Sequence, residues 1–289
     1  MNRATARQLG RFRLHALDAG IQHLDGGAMF GIVPKPLWEK KMPPDERNRI
    51  LLALRPLLVE TGDELVLIDS GAGNKEDAKF HDIYGLENQG SPTALEDAIR
   101  DAGFQPSDVT LVVNTHLHFD HAGGDTVRLD DGSVVPSFPG VTHIVQQREW
   151  EFAHQANERV RASYLPHNFD PVHEAGLFEF ARGAAEIVPG VRALPTPGHT
   201  PGHQSVLIES EGESALYLAD LVPTATHLPL PWIMGYDVEP LITLETKRAV
   251  LERVKGERTL LVFEHDPETP WGYLAPREER PTLVDQRPD

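Results

Sequence analysis

Three imidazoles and a carboxylate fall within six consecutive positions of this chain: His116, His118, Asp120 and His121. Imidazole nitrogen suits zinc, iron, nickel or copper, and a carboxylate adds a harder oxygen donor, so the mixture fits a catalytic metal centre with room for water. A closed thiolate site is excluded, because the chain contains no cysteine. The competing reading is a polar strand end with ordinary core contacts, but so dense a group of polar side chains needs a stronger reason than that.

Val109, Thr110, Leu111, Val112 and Val113 precede the motif and predict a buried strand, while Ala122, Gly123 and Gly124 after it permit a sharp turn. Side chains alternate along extended backbone, so His116 and His118 point the same way and Asp120 and His121 approach from the turn. One ion can take the two histidines and a second the Asp120 and His121 pair.

Other elements frame this segment. Residues 9–16 alternate apolar and polar groups and predict an opening edge strand. Residues 51–59 and 65–68 read as strands joined by Thr61, Gly62 and Asp63, with Pro56 making the first an edge or bulged strand. Leu95, Ala98, Ile99 and Ala102 recur at helical spacing within 91–103, where Pro92 suits the first turn and Gly103 the stop. Residues 142–145 predict a strand and 146–156 a helix. In the second half, short apolar strands at 187–194, 205–208 and 215–218 precede a late helix over 243–256. The alternation predicts an α/β protein whose sheets are covered by helices.

Two stretches resist regular assignment. Residues 20–45 hold too many Gly and Pro for regular structure and too many large apolar groups, Met29, Phe30 and Trp38 among them, for a solvated loop. They form either a loop folded onto the core or an apolar wall over the metal cleft. Residues 221–236 hold Pro223, His227, Trp232 and Tyr236 in a rigid, aromatic loop suited to gripping substrate. Residues 277–289 form a polar tail expected to be mobile.

The motif resembles the signature of the metallo-β-lactamase fold, an αββα four-layer sandwich, and further positions follow the same pattern. Pro197-Gly198-His199-Thr200-Pro201-Gly202-His203 resembles the family's second ligand loop, Ala219-Asp220 a strand end with a bridging aspartate, and Phe263-Glu264-His265-Asp266 the last ligand position. The resemblance implies one hydrolase domain over 1–276 holding two divalent metal ions, Zn2+ first, with Mn2+, Fe2+ or Co2+ as alternatives. His116, His118 and His199 would hold one ion, Asp120, His121 and His265 the other, and Asp220 would bridge them. Asp69 resembles the family carboxylate behind the ligands that fixes an imidazole's tautomer. His203 reads as packing or hydrogen bonding behind the site.

Such ions supply hydroxide from water at neutral pH, and Asp120 and Asp220 are the side chains implied closest to the chemistry. Neither a Gly-x-Ser-x-Gly elbow nor a cysteine offers a rival nucleophile. Within the family, the ligand set and the stretch from Asp25 to Gly31 most resemble quorum-quenching N-acyl homoserine lactonases. That resemblance implies a pocket of Met29, Phe30, Trp38, His227, Trp232 and Tyr236 for a neutral, partly apolar small molecule. There is one departure. Such lactonases carry a Tyr three residues after the bridging Asp, where this chain has Pro223. Either His227 or Tyr236 takes its place, or the preferred ester differs. A phosphotriester or aryl-ester hydrolase is the alternative, and a non-enzymatic metal-binding protein is disfavoured because all seven ligand positions are filled.

Composition narrows the partners. A net charge of −17 repels phosphate backbones, so nucleic-acid processing is not expected. No run approaches the ~18–20 apolar residues of a membrane span, and the first residues lack the apolar core of a signal peptide, so cytoplasmic residence is expected. A homodimer is compatible with the chain.

Overall fold

The computed structural model describes residues 3–275 and 281–288. Two seven-stranded sheets form the framework, each taking its strands in chain order. The first runs Ala4–Leu9, Phe12–Leu17, Leu57–Glu60, Leu65–Ile68, Leu111–Val113, Thr142–Gln146 and Phe178–Ala181. The second runs Ala185–Val188, Val191–Pro195, Gln204–Ser210, Glu213–Tyr217, Leu260–Val262, Trp271–Leu274 and Leu283–Val284.

Strand alternation decides the layering. Val66, Ile68 and Val113 meet Val206, Tyr217 and Val262 between the sheets. Their neighbours Leu65, Leu67 and Val112 turn the other way and pack on Leu95, Ala98 and Ile99 of the helix Ala94–Asp101. Across the molecule Leu207, Leu216 and Leu261 pack on Val250, Leu251 and Val254 of the helix Pro240–Glu257. The order is helix, sheet, sheet, helix, an αββα sandwich. Each fully buried aliphatic side chain contributes roughly 1.5–3 kcal/mol, so the layer between the sheets is the main source of their cohesion.

Leu65–Ile68 and Leu111–Val113 pair in parallel, as do Glu213–Tyr217 and Leu260–Val262. Parallel partners end at the same sheet edge, which gathers the loops after Ile68, Val113, Tyr217 and Val262. In α/β sheets that edge is where ligands bind.

Several local expectations change. The predicted single strand at 9–16 is a hairpin: Gly10, at φ 55°, turns Ala4–Leu9 back onto Phe12–Leu17, and Ala4–Leu9 is the edge. The strand predicted over 51–59 breaks before Pro56, with Arg49–Ala53 pairing instead with Ile21–Asp25. The strand predicted over 187–194 is likewise two strands, Ala185–Val188 and Val191–Pro195, turned at Gly190. Residues 20–45 are more ordered than their composition suggested. Besides Ile21–Asp25 they hold helices Gly26–Phe30 and Lys35–Trp38, because Asp25 caps the first through Ala28 N and Pro36 sits where a helix start tolerates it. Part of the tail expected to be mobile, Leu283–Val284, adds a strand beside Trp271–Leu274; residues 277–280 and 289 lie outside the described residues. Among the described residues no helix is long and apolar enough to cross a membrane.

Candidate metal centre

The seven side chains singled out above converge in two buried sets. His116, His118, His199 and Asp220 present ligand atoms within 4.8 Å of one another, and so do Asp120, His121 and His265. Asp220 lies between them: Oδ2 is 3.0 Å from His199 Nε2, and Oδ1 is 3.2 Å from His265 Nε2. Asp120 Oδ2 stands 3.7 Å from His265 Nε2.

Local backbone explains the convergence. Gly124 lets the turn after the motif press on the Asp69 loop, since a Cβ there would lie 2.1 Å from Ser70 O. Gly198, at φ 137°, lets the His199 loop pass the start of the Pro240–Glu257 helix, where a Cβ would meet Thr243 N at 2.3 Å. Asp69 and Ala219 adopt φ values of 56° and 45°, costly for residues with a Cβ and characteristic of sites where position outranks local comfort.

The outer nitrogens of the rings are tied down. His121 Nδ1 donates to Asp69 Oδ2 at 3.0 Å, His199 Nδ1 to Asp237 Oδ1 at 3.0 Å, and His265 Nδ1 to Ala53 O at 2.8 Å. Thr115 Oγ1 gives its only proton to Asp69 Oδ2, so it accepts from His116 Nδ1 at 3.1 Å. These partners assign the tautomer that leaves each Nε2 lone pair facing inward. His118 is reversed and turns Nδ1 toward His199 Nε2, at 3.1 Å.

This donor set fits cations. His116 Nε2 and His118 Nε2 are buried with no hydrogen-bond partner. His121 Nε2 and His265 Nε2 face each other at 3.2 Å, a repulsive contact for two lone pairs unless a positive charge lies between. Burial and neighbouring imidazoles hold His116 and His118 well below the ordinary histidine value. Burial would also lower His199 and His265, but Asp220, with Asp237 and Glu264 respectively, outweighs it and raises them to about 10 and about 9. Burial opposes ionisation of Asp220, but His199, His121 and His265 hold it well below the usual carboxylate range. The cluster therefore attracts positive charge, and nitrogen and oxygen donors without sulfur suit two divalent ions.

Above the sets opens a cleft of about 350 Å³. Leu24, Met29, Leu52, Phe119 and Met234 give it apolar walls, Tyr84 and Tyr236 add phenols, and Asp120, His199, Asp220 and His265 form its floor. Of the pocket residues expected from sequence, Met29 and Tyr236 line it. Phe30 and Trp38 stand behind, fully buried and stacked at 5.2 Å, with Trp232 edge-on to Phe30. His227 is buried too, stacked on Phe30 at 4.5 Å, with Nε2 bonded to Met29 O and Nδ1 to Thr224 Oγ1. It is withdrawn from the cleft. His203 lies behind Asp220: burial lowers it to about 3, and its neutral Nε2 accepts from Asp220 N at 3.2 Å.

Three neighbours went unrecognised in the sequence. Gln22 Nε2 donates to Asp120 Oδ2 at 2.6 Å, Asp237 holds His199, and Glu264 Oε2 lies 2.7 Å from His121 Nδ1. Adjacency to His265 was a signal for Glu264. Gln22 and Asp237 meet partners 98 and 38 residues away, with no local pattern to mark them.

Comparison with known proteins agrees with this geometry. Residues 56–265 match the model of the metallo-beta-lactamase superfamily. An N-acyl homoserine lactonase of Bacillus thuringiensis is 32% identical over 223 residues, covering 73% of this chain and 80% of its own. A probable metal-dependent hydrolase from Staphylococcus aureus superposes with a TM-score of 0.89 at 30% identity, over 98% of this chain and 99% of the other. An N-acyl homoserine lactone hydrolase with N-hexanoyl-L-homoserine bound at its catalytic metal centre superposes with a TM-score of 0.66 at 26% identity, over 91% and 95%. With a family match across most of its length and two buried histidine and aspartate sets beneath an apolar cleft, this chain belongs to the metallo-β-lactamase superfamily and is a metal-dependent hydrolase.

Proposed function

We propose that this hydrolase holds two divalent ions, zinc first, and opens the ester bond of a lactone, with N-acyl homoserine lactones as the leading substrate class. His116, His118 and His199 would hold one ion and Asp120, His121 and His265 the other, with Asp220 shared. When bound, such a pair lowers the pKa of water from about 15.7 toward ~7 and polarises the oxygen of the bond under attack.

The protein's own groups do the rest. Asp69, Asp237 and Ala53 O fix the ring tautomers, as donors and acceptors behind a metal do in general. Asp120, steadied by Gln22, lines the cleft and carries a proton to the leaving alkoxide. Tyr84 and Tyr236 supply phenols at the cleft, whereas His227 has both ring nitrogens engaged elsewhere. The apolar walls exclude water and hold an acyl chain, and a neutral lactone is not repelled by an acidic protein.

The observation that carries this reading is Asp220 placed between two buried ligand sets directly below an apolar cleft. The lactonase activity named for the Bacillus thuringiensis relative supports the choice of substrate. The test is turnover by zinc-loaded protein of short- and long-chain N-acyl homoserine lactones, an aryl ester and paraoxon. Highest kcat/KM on a lactone is expected. Preference for paraoxon or the aryl ester would replace lactone by that class, and tight metal with no turnover would overturn the hydrolytic reading.

A further inference from the structure

Away from the metal centre, the chain buries a cation that the reaction does not use. Lys247, in the helix Pro240–Glu257, is fully buried. Its Nζ donates to the carbonyl oxygens of His227, Pro229 and Trp232, the last two at 2.9 Å. An ammonium has three protons and accepts nothing, so its whole capacity goes to one loop.

Backbone bonds from Gly235 N to Ala28 O and from Val238 N to His199 O tie down the later part of that loop, and Lys247 ties its start. Residues 228–239 contain neither helix nor strand, and Pro229 and Pro231 have no N–H to give. An apolar side chain would pack the helix here without the cost of burying charge, whereas an ammonium fixes where three carbonyls sit. Those carbonyls lie behind one apolar side of the cleft. The His227 ring is bonded to Met29 O and stacked on Phe30, behind one wall. Just past Trp232, Met234 packs in the same cluster as Met29, and both line the cleft with Tyr236.

We propose that Lys247 is a positioning residue that sets the depth of the apolar end of the cleft, and with it the acyl-chain length the enzyme accepts. The inference rests on the reading that the cleft takes an ester carrying an apolar chain.

A pH signature accompanies the geometry. Burial pushes Lys247 down to about 7, partly offset by Asp237. The titratable groups facing it are Asp237 and His227, both from the loop, and burial keeps His227 neutral by lowering it to about 3. Loss of one proton from Lys247 leaves two donors for three carbonyls, so one is released as pH rises through neutrality.

The experiment uses zinc-loaded full-length protein with p-nitrophenyl acetate and p-nitrophenyl decanoate. For Lys247→Met, KM for the decanoate should rise about fivefold or more relative to KM for the acetate, with Lys247→Arg closer to wild type. In the wild type, the ratio of decanoate to acetate KM should rise between about pH 6 and pH 9, a ratio in which titrations common to both esters cancel. Equal changes on both esters would overturn the proposal, and should the Met variant not fold, Lys247→Gln, with two N–H donors for the three carbonyls, is measured in its place. A wild type that hydrolyses neither aryl ester is assayed on N-butanoyl and N-decanoyl homoserine lactones in their place, and hydrolysis of none of the four would sink the reading of the cleft on which the proposal depends.

Discussion

Asp237 Oδ1 lies 3.0 Å from His199 Nδ1, on the side of the ring opposite Asp220. The buried carboxylate orients the imidazole and raises its basicity toward the centre. Asp237→Ala should therefore weaken metal binding at that set by about 10–100-fold with the fold intact, as other partners of ligating histidines do. Chelator competition on the folded variant measures it, and unchanged affinity would show the contact to be packing alone.

Asp120 contributes to the second set and faces the cleft. Asp120→Asn should reduce kcat/KM by about 10²–10⁴ while near-native circular dichroism is retained. Wild-type turnover by a folded, metal-loaded variant would remove it from the chemistry.

Met29 lines the apolar wall, unlike Trp38 behind it. Met29→Ala should raise KM for long-chain substrates more than for short ones, by about 0.8 kcal/mol for each substrate methylene that the shortened wall leaves in water. A KM series across acyl lengths tests this, with parallel shifts at every length counting against a pocket role.

Removing metal should destabilise the protein as well as inactivate it. At free metal 1,000-fold above Kd, each site adds about 4 kcal/mol to the folded state. Thermal melts with and without chelator, followed by reloading with zinc, should show a large and reversible loss of Tm; an unchanged Tm would mean that neither set binds tightly.

Asp125 is fully buried near Ser70 and Asn114, and burial raises it to about 8. Between its ordinary value of 3.8 and 8 the folded chain keeps a proton that the unfolded chain has lost, so stability falls as pH rises. Asp125→Asn should have a higher Tm than wild type at pH 8, with the gap closing toward pH 4. A gap independent of pH would contradict that assignment.

The contiguous motif at 116–121 was legible because strand periodicity and a turn place neighbouring residues around one point. His199, Asp220 and His265 stand singly, and only the family pattern joined them to it before the structure brought them together. The strand at 65–68 was also readable as a short continuous apolar run, since each side chain there must face either the other sheet or a helix. The hairpin at Gly10 was not, because the polar strand Ala4–Leu9 is an edge with little to bury. Residues 20–45 misled for another reason: their Gly and Pro sit at helix starts and turns, where they interrupt nothing.

Both ligand sets draw on both sheets. His116, His118, Asp120 and His121 follow strand Leu111–Val113, whereas His199, Asp220 and His265 come from the loops of the second sheet. An ion captured at either set would rivet the seam between the two halves, and a chain severed near Gly183 would yield two pieces that each lack a full set of donors. Zinc should then act as the glue of their reassociation, so that recovered turnover counts rejoined molecules.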